Sequence, residues 1–112
     1  MPPSAERPEE IRQLARYQVR AEALGRCRAA IEEFVAFVRA SEPGTLRYDV
    51  WQESGDPTRF VHLFVFRDAE AHQLHSGSAA VKRFAGILYP ACLAPVEFTD
   101  YRQVASNGTT AA

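Results

Sequence analysis

The sequence predicts an α+β domain of ferredoxin-like type, a four-stranded antiparallel sheet with helices on one face. Two observations carry this prediction. The hydrophobic pattern switches along the chain between a period of two, typical of strands, and a 3-4-7 spacing, typical of helices, in the order β-α-β-β-α-α-β. The 112 residues are 46% hydrophobic and 24% charged, which is typical of one globular domain with its own core.

The first half of the domain contains a strand, a long helix and a second strand. Alternating apolar residues predict the first strand over residues 14–21. Apolar residues at helical spacing predict an amphipathic helix over residues 23–41, which the Pro43-Gly44 pair ends. Alternation resumes over residues 45–53 and predicts the second strand.

The second half adds two strands and two short helices. Residues 59–67 are apolar on both faces, which predicts a strand in the middle of the sheet. Asp68 and Ser78 are the expected N-caps of two helices, the second of which ends at Pro90. A last strand is expected over residues 95–104.

The termini and the charge limit the protein's partners. Residues 1–12 and 106–112 have the composition of a flexible leader and tail, so the folded domain is expected over residues 13–105. The net charge of −1 provides no general attraction to nucleic acid or to an anionic membrane. The chain contains neither an apolar membrane span nor the apolar segment of a signal peptide, so we expect a cytoplasmic protein with no nucleic-acid or membrane partner.

The helices can cover only one face of such a sheet. The strand at residues 59–67 is apolar on its other face as well, and that face needs a cover. A second copy of the chain is the simplest one. We therefore expect a homodimer whose subunits pack sheet against sheet.

Two stretches resemble the antibiotic biosynthesis monooxygenase family. The segment Glu42-Pro-Gly-Thr-Leu-Arg-Tyr48, with Asp56-Pro57 and Phe60 after it, is similar to that family's second strand and hairpin. The spacing of Asp68, Ala71, His75, Ser78, Val81 and Phe84 is similar to its helix pattern. The resemblance, over about residues 15–104, implies a dimeric α+β barrel with a pocket between sheet and helices. It also implies oxygenation of a quinol-like or anthrone-like aromatic molecule without a cofactor, as in some members.

The chain departs from that family at two places. Many relatives carry Glu-x-Trp on the third strand, where this chain has Phe64 and Phe66. Relatives often carry Ser-Pro-His where this chain has Ser78-Ala79-Ala80. The missing side chains leave two alternatives open: a non-catalytic dimeric module that binds a small hydrophobic ligand or regulates a partner, and an isomerase of a small metabolite.

Two histidines are the expected catalytic residues, because this oxygenation needs a base that works near neutral pH. His75 occupies the family's helix position and is the first candidate; the alternative is a structural hydrogen bond at the joint between two helices. His62 shares its strand face with Phe60, Phe64 and Phe66, so it is either a second catalytic group or a satisfied buried histidine. Phe64 and Phe66 are expected to line the substrate site.

Four more residues are expected to bind substrate. Tyr48 offers a hydroxyl, and Arg83 could hold an anionic group at the pocket mouth. Trp51 could stack on a planar substrate or anchor a subunit interface. His72 lies one helical turn before His75, but two histidines without a third ligand do not predict a metal site. We expect neither a metal nor a cofactor.

Overall fold

The computed structural model describes residues 9–108 and confirms the predicted order of elements. A short 3-10 turn precedes the first helix, and another follows the third. The elements are β1 (Ile11–Gln18), α1 (Leu24–Ser41), β2 (Thr45–Gln52), β3 (Arg59–Phe66), α2 (Ala69–Ser76), α3 (Ala79–Leu88) and β4 (Glu97–Tyr101).

Two strands differ from their predicted bounds by more than one residue. The first begins at Ile11 rather than at residue 14, because residues 11–13 pair with β3 although their sequence lacks a clear alternation. It ends at Gln18, since the next residue, Val19, makes only an isolated bridge to Cys92. The last strand covers five residues instead of the predicted 95–104, because it pairs only with β1, over Arg12–Arg16.

The sheet has the order β2-β3-β1-β4, and all neighbouring strands are antiparallel. The strand that is apolar on both faces, β3, lies between β1 and β2, as predicted. The register pairs Ala15 with His62 and Tyr48 with Phe64. Because directly paired residues point to the same side of a sheet, these side chains share the face that the helices cover.

The core lies between this face and the helices. One cluster joins strand residues such as Tyr17 and Phe60 to Cys27 and Ile31 of α1 and Leu88 of α3. A second cluster joins Ala15, Phe64 and Phe66 to Ala71 of α2. Aromatic side chains of the strands therefore fill much of the layer between the sheet and the helices.

Helices α2 and α3 begin at the predicted N-caps. The Asp68 carboxylate accepts a hydrogen bond from the backbone N–H of Ala71 at 2.9 Å, and the Ser78 hydroxyl accepts one from that of Val81 at 3.0 Å. Each side chain satisfies a backbone donor that the helix itself leaves unpaired. Asp68 thus fixes the start of α2, and Ser78 fixes the start of α3 directly after the break that follows the buried His75.

No helix within residues 9–108 covers the opposite face of the sheet. Leu14, Val61, Leu63 and Val65 form an apolar strip there, and all four are only partly buried. Trp51 lies beside the strip with half of its surface exposed. This outer sheet face is the surface on which the sequence predicts a second copy.

The expected leader and tail fall mainly on residues 1–8 and 109–112, which lie outside the described residues. Ile11 and Arg12, which the prediction assigned to the leader, belong to β1. Within residues 9–108 no helix has both the length and the apolar character needed to cross a membrane.

Gly44, between α1 and β2, provides a test of this packing. A Cβ added there would lie 2.6 Å from the Cβ of Ala71 on α2, and the Gly44 carbonyl is held by the backbone N–H of Arg67 at 2.8 Å. We expect Gly44→Ala to lower the free energy of unfolding by about 1–3 kcal/mol in denaturant titrations. Gly86→Ala is the control, since an added Cβ meets nothing on the exposed side of α3; it should stabilise by up to ~1 kcal/mol. Equal effects of the two changes would contradict the close contact at Gly44.

Candidate active site between the sheet and the helices

His62 lies in the middle of β3 with only 2% of its surface exposed. Both of its ring nitrogens have a tyrosine hydroxyl as partner. The Tyr17 hydroxyl, from β1, lies 2.7 Å from Nε2, and the Tyr48 hydroxyl, from β2, lies 2.8 Å from Nδ1. The histidine is thus a satisfied buried group, one of the two alternatives that the sequence left open.

Burial keeps all three groups uncharged. It lowers the pKa of His62 from its ordinary value to about 3, since an imidazolium would lose its hydration. It raises the pKa of both the Tyr17 and the Tyr48 hydroxyl far above the usual range for the same reason. The chain Tyr17–His62–Tyr48 is therefore neutral at physiological pH.

A second polar pair joins α1 to α2. Glu42, at the C-terminal end of α1, places its Oε1 atom 2.8 Å from Nδ1 of His75. The Thr45 hydroxyl donates to the same oxygen at 2.8 Å, while Oε2 is buried and has no hydrogen-bond partner among residues 9–108. His75 itself is 8% exposed. A carboxylate at Nδ1 fixes the ring orientation and leaves Nε2 as the nitrogen that is free to bind or take up a proton.

Three phenylalanine rings surround His75. Its ring centroid lies 5.6 Å from that of Phe34 and 5.1 Å from those of Phe64 and Phe66. Such a setting excludes water from most of the ring. Electrostatic interactions around the imidazole are consequently stronger than they would be at the surface.

A cavity lies between the sheet and the helices, and both polar centres border it. It has a volume of about 70 Å³, and both histidines and Tyr17 line it. The remaining lining side chains are mostly apolar or aromatic, and include Phe34, Phe64, Val81, Phe84, Leu88 and Phe98. Since a cavity of about 150 Å³ is known to hold benzene, this one accepts an aromatic ring only if its walls move apart.

The cavity continues toward the surface at its β4 side. Tyr89 and Phe98 line it, and each is more than half exposed. The same two residues line an adjoining groove of about 530 Å³, together with Leu93 and Pro95. This outer groove carries no charged side chain, so it suits an uncharged, apolar group.

The structure brings together most of the residues that the sequence selected. His62, His75 and Phe64 line the cavity. Tyr48 does not line it, but its hydroxyl is hydrogen-bonded to Nδ1 of His62. Phe66 is completely buried and packs against the His75 ring without reaching the cavity. Phe64 and Phe66, which stand where many relatives have Glu-x-Trp, therefore do not fill the cavity.

Three further selected residues, like Tyr48 and Phe66, do not line this cavity. His72 packs edge-to-face with Phe66, with 5.0 Å between the ring centroids, and does not line the cavity. Arg83 is exposed on α3 and pairs with Glu33 of α1 at 3.1 Å. Trp51 points to the outer sheet face, where it lines an open concavity of about 710 Å³ with Arg16 and other residues. Its position agrees with the interface alternative rather than with stacking beside His62.

Sequence reasoning missed two residues of the site. Glu42 was part of the family-like motif but received no role, although an acidic residue at the C-terminal end of a helix opposes the helix dipole and needs a compensating partner. Tyr17 was assigned only as an alternating strand residue. Nothing in its local pattern indicates that its hydroxyl reaches His62, because that contact spans 45 residues.

Metal-binding side chains do not cluster in the part of the chain that is described. Within residues 9–108, no three His, Cys, Asp or Glu side chains are grouped so that they could hold a metal ion. His72 and His75 are the two histidines nearest to each other in sequence. Nδ1 of His75 is already occupied by Glu42.

A family model described as antibiotic biosynthesis monooxygenase matches residues 10–86, which is more than half of the chain. The match confirms the resemblance that the Glu42–Tyr48 segment and the helix spacing indicated. No curated protein matches the chain.

Solved structures share this fold. A Bacteroides thetaiotaomicron protein that bears the family's name superposes with a TM-score of 0.82 at 19% identity, over 90% of this chain and 95% of its own. A Caulobacter crescentus protein of the same name gives 0.80 at 18% identity, over 87% and 92%. A Mycobacterium tuberculosis protein gives 0.79 at 20% identity, over 88% and 99%. At these identities the likeness concerns the fold.

The neutral state of His62 has a consequence for stability. The unfolded chain takes up a proton near pH 6.5, whereas the folded protein keeps His62 neutral down to about pH 3. The unfolded state binds more protons between these values, so the free energy of unfolding falls as the pH drops below 6.5. Between pH 7 and pH 5 this loss is about 2 kcal/mol.

His62→Gln should remove this part of the pH dependence. Its amide can still donate to one tyrosine and accept from the other, but it does not titrate. Urea unfolding of both proteins at pH 5, 6 and 7 measures the difference. Parallel pH curves for the two proteins would show that His62 is not the titrating group.

Proposed function

Because this chain belongs to the antibiotic biosynthesis monooxygenase family, we propose that it oxidises a phenolic, quinol-like or anthrone-like aromatic molecule with molecular oxygen. The reaction would take place in the cavity between the sheet and the helices. One observation carries the proposal: the Glu42–His75 pair, which presents an oriented imidazole to an aromatic, nearly dry cavity. This is the arrangement that a general base needs.

His75 acts as the proton acceptor. Its Nδ1–H donates to Glu42, and Nε2 takes the hydroxyl proton of the bound phenol or of the enol form of an anthrone. The imidazolium that forms is stabilised by the Glu42 carboxylate 2.8 Å away. The surrounding phenylalanine rings strengthen this attraction because they keep water away.

The substrate anion supplies the electrons. It transfers one electron to O₂, and the resulting substrate radical and superoxide combine at a ring carbon that carries hydrogen. His75 returns its proton to the peroxide anion. Loss of water then breaks the O–O and C–H bonds and leaves a carbonyl, so one oxygen atom enters the product and the other leaves as water. The substrate loses four electrons and O₂ gains four.

The dimensions of the site support a particular placement of the substrate. The inner cavity of about 70 Å³ has room for one reacting ring at most, after some movement of its walls. The uncharged outer groove of about 530 Å³ would hold the rest of the molecule. Tyr89 and Phe98, which line both spaces, would have to move as the ring enters.

Oxygen uptake by the metal-chelated protein tests the proposal. A panel of naphthols, quinols and anthrones is offered, and consumption of O₂ is followed with an electrode. We expect His75→Gln to lower the rate by about 10²–10⁴-fold, because it removes the general base. Glu42→Gln keeps the shape of the side chain without its charge and should also slow the reaction.

His72→Gln is the matched control, since it changes a histidine on the same helix that does not line the cavity. Its rate should equal that of the unchanged protein. Equal loss in the two histidine variants would count against His75 as the base. Conversion of a substrate without oxygen would identify an isomerase, and ligand-dependent melting shifts without any turnover would identify a binding module.

We also propose that two copies of the chain pair through their outer sheet faces. The strip of Leu14, Val61, Leu63 and Val65 is partly exposed in the single chain, and Trp51 lies at its edge. An apolar patch of this extent on a small domain favours association, and aromatic residues commonly anchor such interfaces. The concavity beside Trp51 could receive side chains of the partner.

Leu63→Arg tests the pairing, since it places a charge in the centre of the strip without touching the helix-covered core. We expect sedimentation at micromolar concentration to give a dimer for the unchanged protein and a monomer for this variant. Leu74→Arg, on the exposed side of α2, is the control and should remain dimeric. A monomeric unchanged protein would refute the proposal.

A further inference from the structure

The hydrogen bonds around His62 leave a proton without a partner. Tyr17 and Tyr48 each contact one nitrogen of the ring, at 2.7 Å and 2.8 Å. Among residues 9–108, neither hydroxyl has any other hydrogen-bond partner. The three side chains must therefore satisfy their donors and acceptors within this group or by means of a bound molecule.

Counting protons shows what is left over. A neutral imidazole carries one N–H, and the two tyrosines carry one O–H each, which makes three donors. Only two hydrogen bonds exist, so one tyrosine O–H has no acceptor. An imidazolium would leave two such hydroxyls. In either case at least one buried tyrosine donor is unused, and an unused buried donor is costly.

The positions of the two tyrosines identify which donor is free. Tyr17 lines the cavity, whereas Tyr48 does not. The Tyr48 ring is stacked on Phe64 with 4.3 Å between centroids and meets the Phe34 ring edge-on at 5.7 Å. Apart from His62, no acceptor among residues 9–108 lies within hydrogen-bond distance of the Tyr48 hydroxyl, although the Glu42 carboxylate is near enough to raise its pKa. A spare Tyr17 proton, in contrast, can meet a molecule in the cavity. The favoured arrangement has Tyr48 donating to Nδ1 and the Nε2–H donating to Tyr17.

We propose that Tyr17 is a ligand-binding residue of this cavity, and that its hydroxyl donates a hydrogen bond to an anionic oxygen of the bound aromatic molecule. His62 and Tyr48 are positioning residues, because they hold the Tyr17 oxygen as an acceptor and turn its proton toward the cavity. Donors linked in a chain polarise one another, and a bond to an anion is stronger than one to a neutral oxygen. The anionic nature of the ligand rests on the proposed function; the direction of the hydrogen-bond chain does not.

The direction of the chain is measured without any ligand. In ¹⁵N-labelled protein, the His62 ring should give the spectrum of a neutral imidazole protonated at Nε2. His62→Gln identifies the signals by their disappearance. A proton on Nδ1 instead would mean that Tyr17 donates to the ring and has no free hydrogen, which would overturn the proposal.

The ligand contact is measured with 4-nitrophenol, a single-ring probe whose phenolate absorbs visible light. Titration at several pH values gives the affinity of the neutral and the anionic form separately. We expect Tyr17→Phe to weaken binding of the phenolate by about tenfold or more, with little change for the neutral phenol. Tyr101→Phe, on the outer sheet face, is the matched control and should bind like the unchanged protein.

Each result separates this inference from the proposed function. Failure of the unchanged protein to bind the phenolate, or equal loss of both forms in Tyr17→Phe, would overturn the role of Tyr17. If the phenolate binds through Tyr17 while no member of the panel consumes oxygen, the hydrogen-bond donor stands and the monooxygenase proposal fails.

Discussion

The hydrogen bonds of His62 connect three of the four strands. His62 belongs to β3, and its two partners, Tyr17 and Tyr48, come from β1 and β2 on either side. A polar ring buried to this degree is tolerated only when both nitrogens are satisfied. The fold must therefore hold all three side chains on the same face and in the correct register. A slip of one residue in either neighbouring strand would move its tyrosine to the opposite face of the sheet.

The Glu42–His75 pair imposes a similar constraint on the helices. Its two members lie at the end of α1 and on α2, and they meet only because the turn through Gly44 packs directly against Ala71. One phenylalanine ring, that of Phe64, packs against both His75 and His62. The two polar centres have different chemical character, however. Both ring nitrogens of His62 have a tyrosine partner, whereas among residues 9–108 only Nδ1 of His75 has one, so the proposed proton acceptor is His75 rather than His62.

The aromatic residues of the strands lie on two different faces of the sheet, the helix-covered face with the cavity and the outer face. Phe64 and Phe98 belong to the helix-covered side, while Trp51 and Tyr101 belong to the other. Sequence alternation assigns each strand residue to one of two sides, but it does not say which side the helices cover. For Trp51 this choice placed the side chain away from the cavity beside His62, and its role in an interface belongs to the proposed pairing of two copies. The parity of His62 and the phenylalanines was correct, and tertiary packing identified their face as the one with the cavity.

Local periodicity, capping chemistry and short motifs are enough to predict the order of the elements, the central place of β3, the N-caps Asp68 and Ser78, and the family. They also select both histidines that line the cavity. The contacts of these histidines, Glu42 with His75 and the two tyrosines with His62, become visible only in the folded chain. The same is true of the positions of His72, Arg83 and Trp51 outside the cavity. The Glu42–His75 contact joins residues 33 positions apart, and the Tyr17–His62 contact joins residues 45 apart. Partners so distant in sequence are set by strand register and helix packing, which no local pattern encodes.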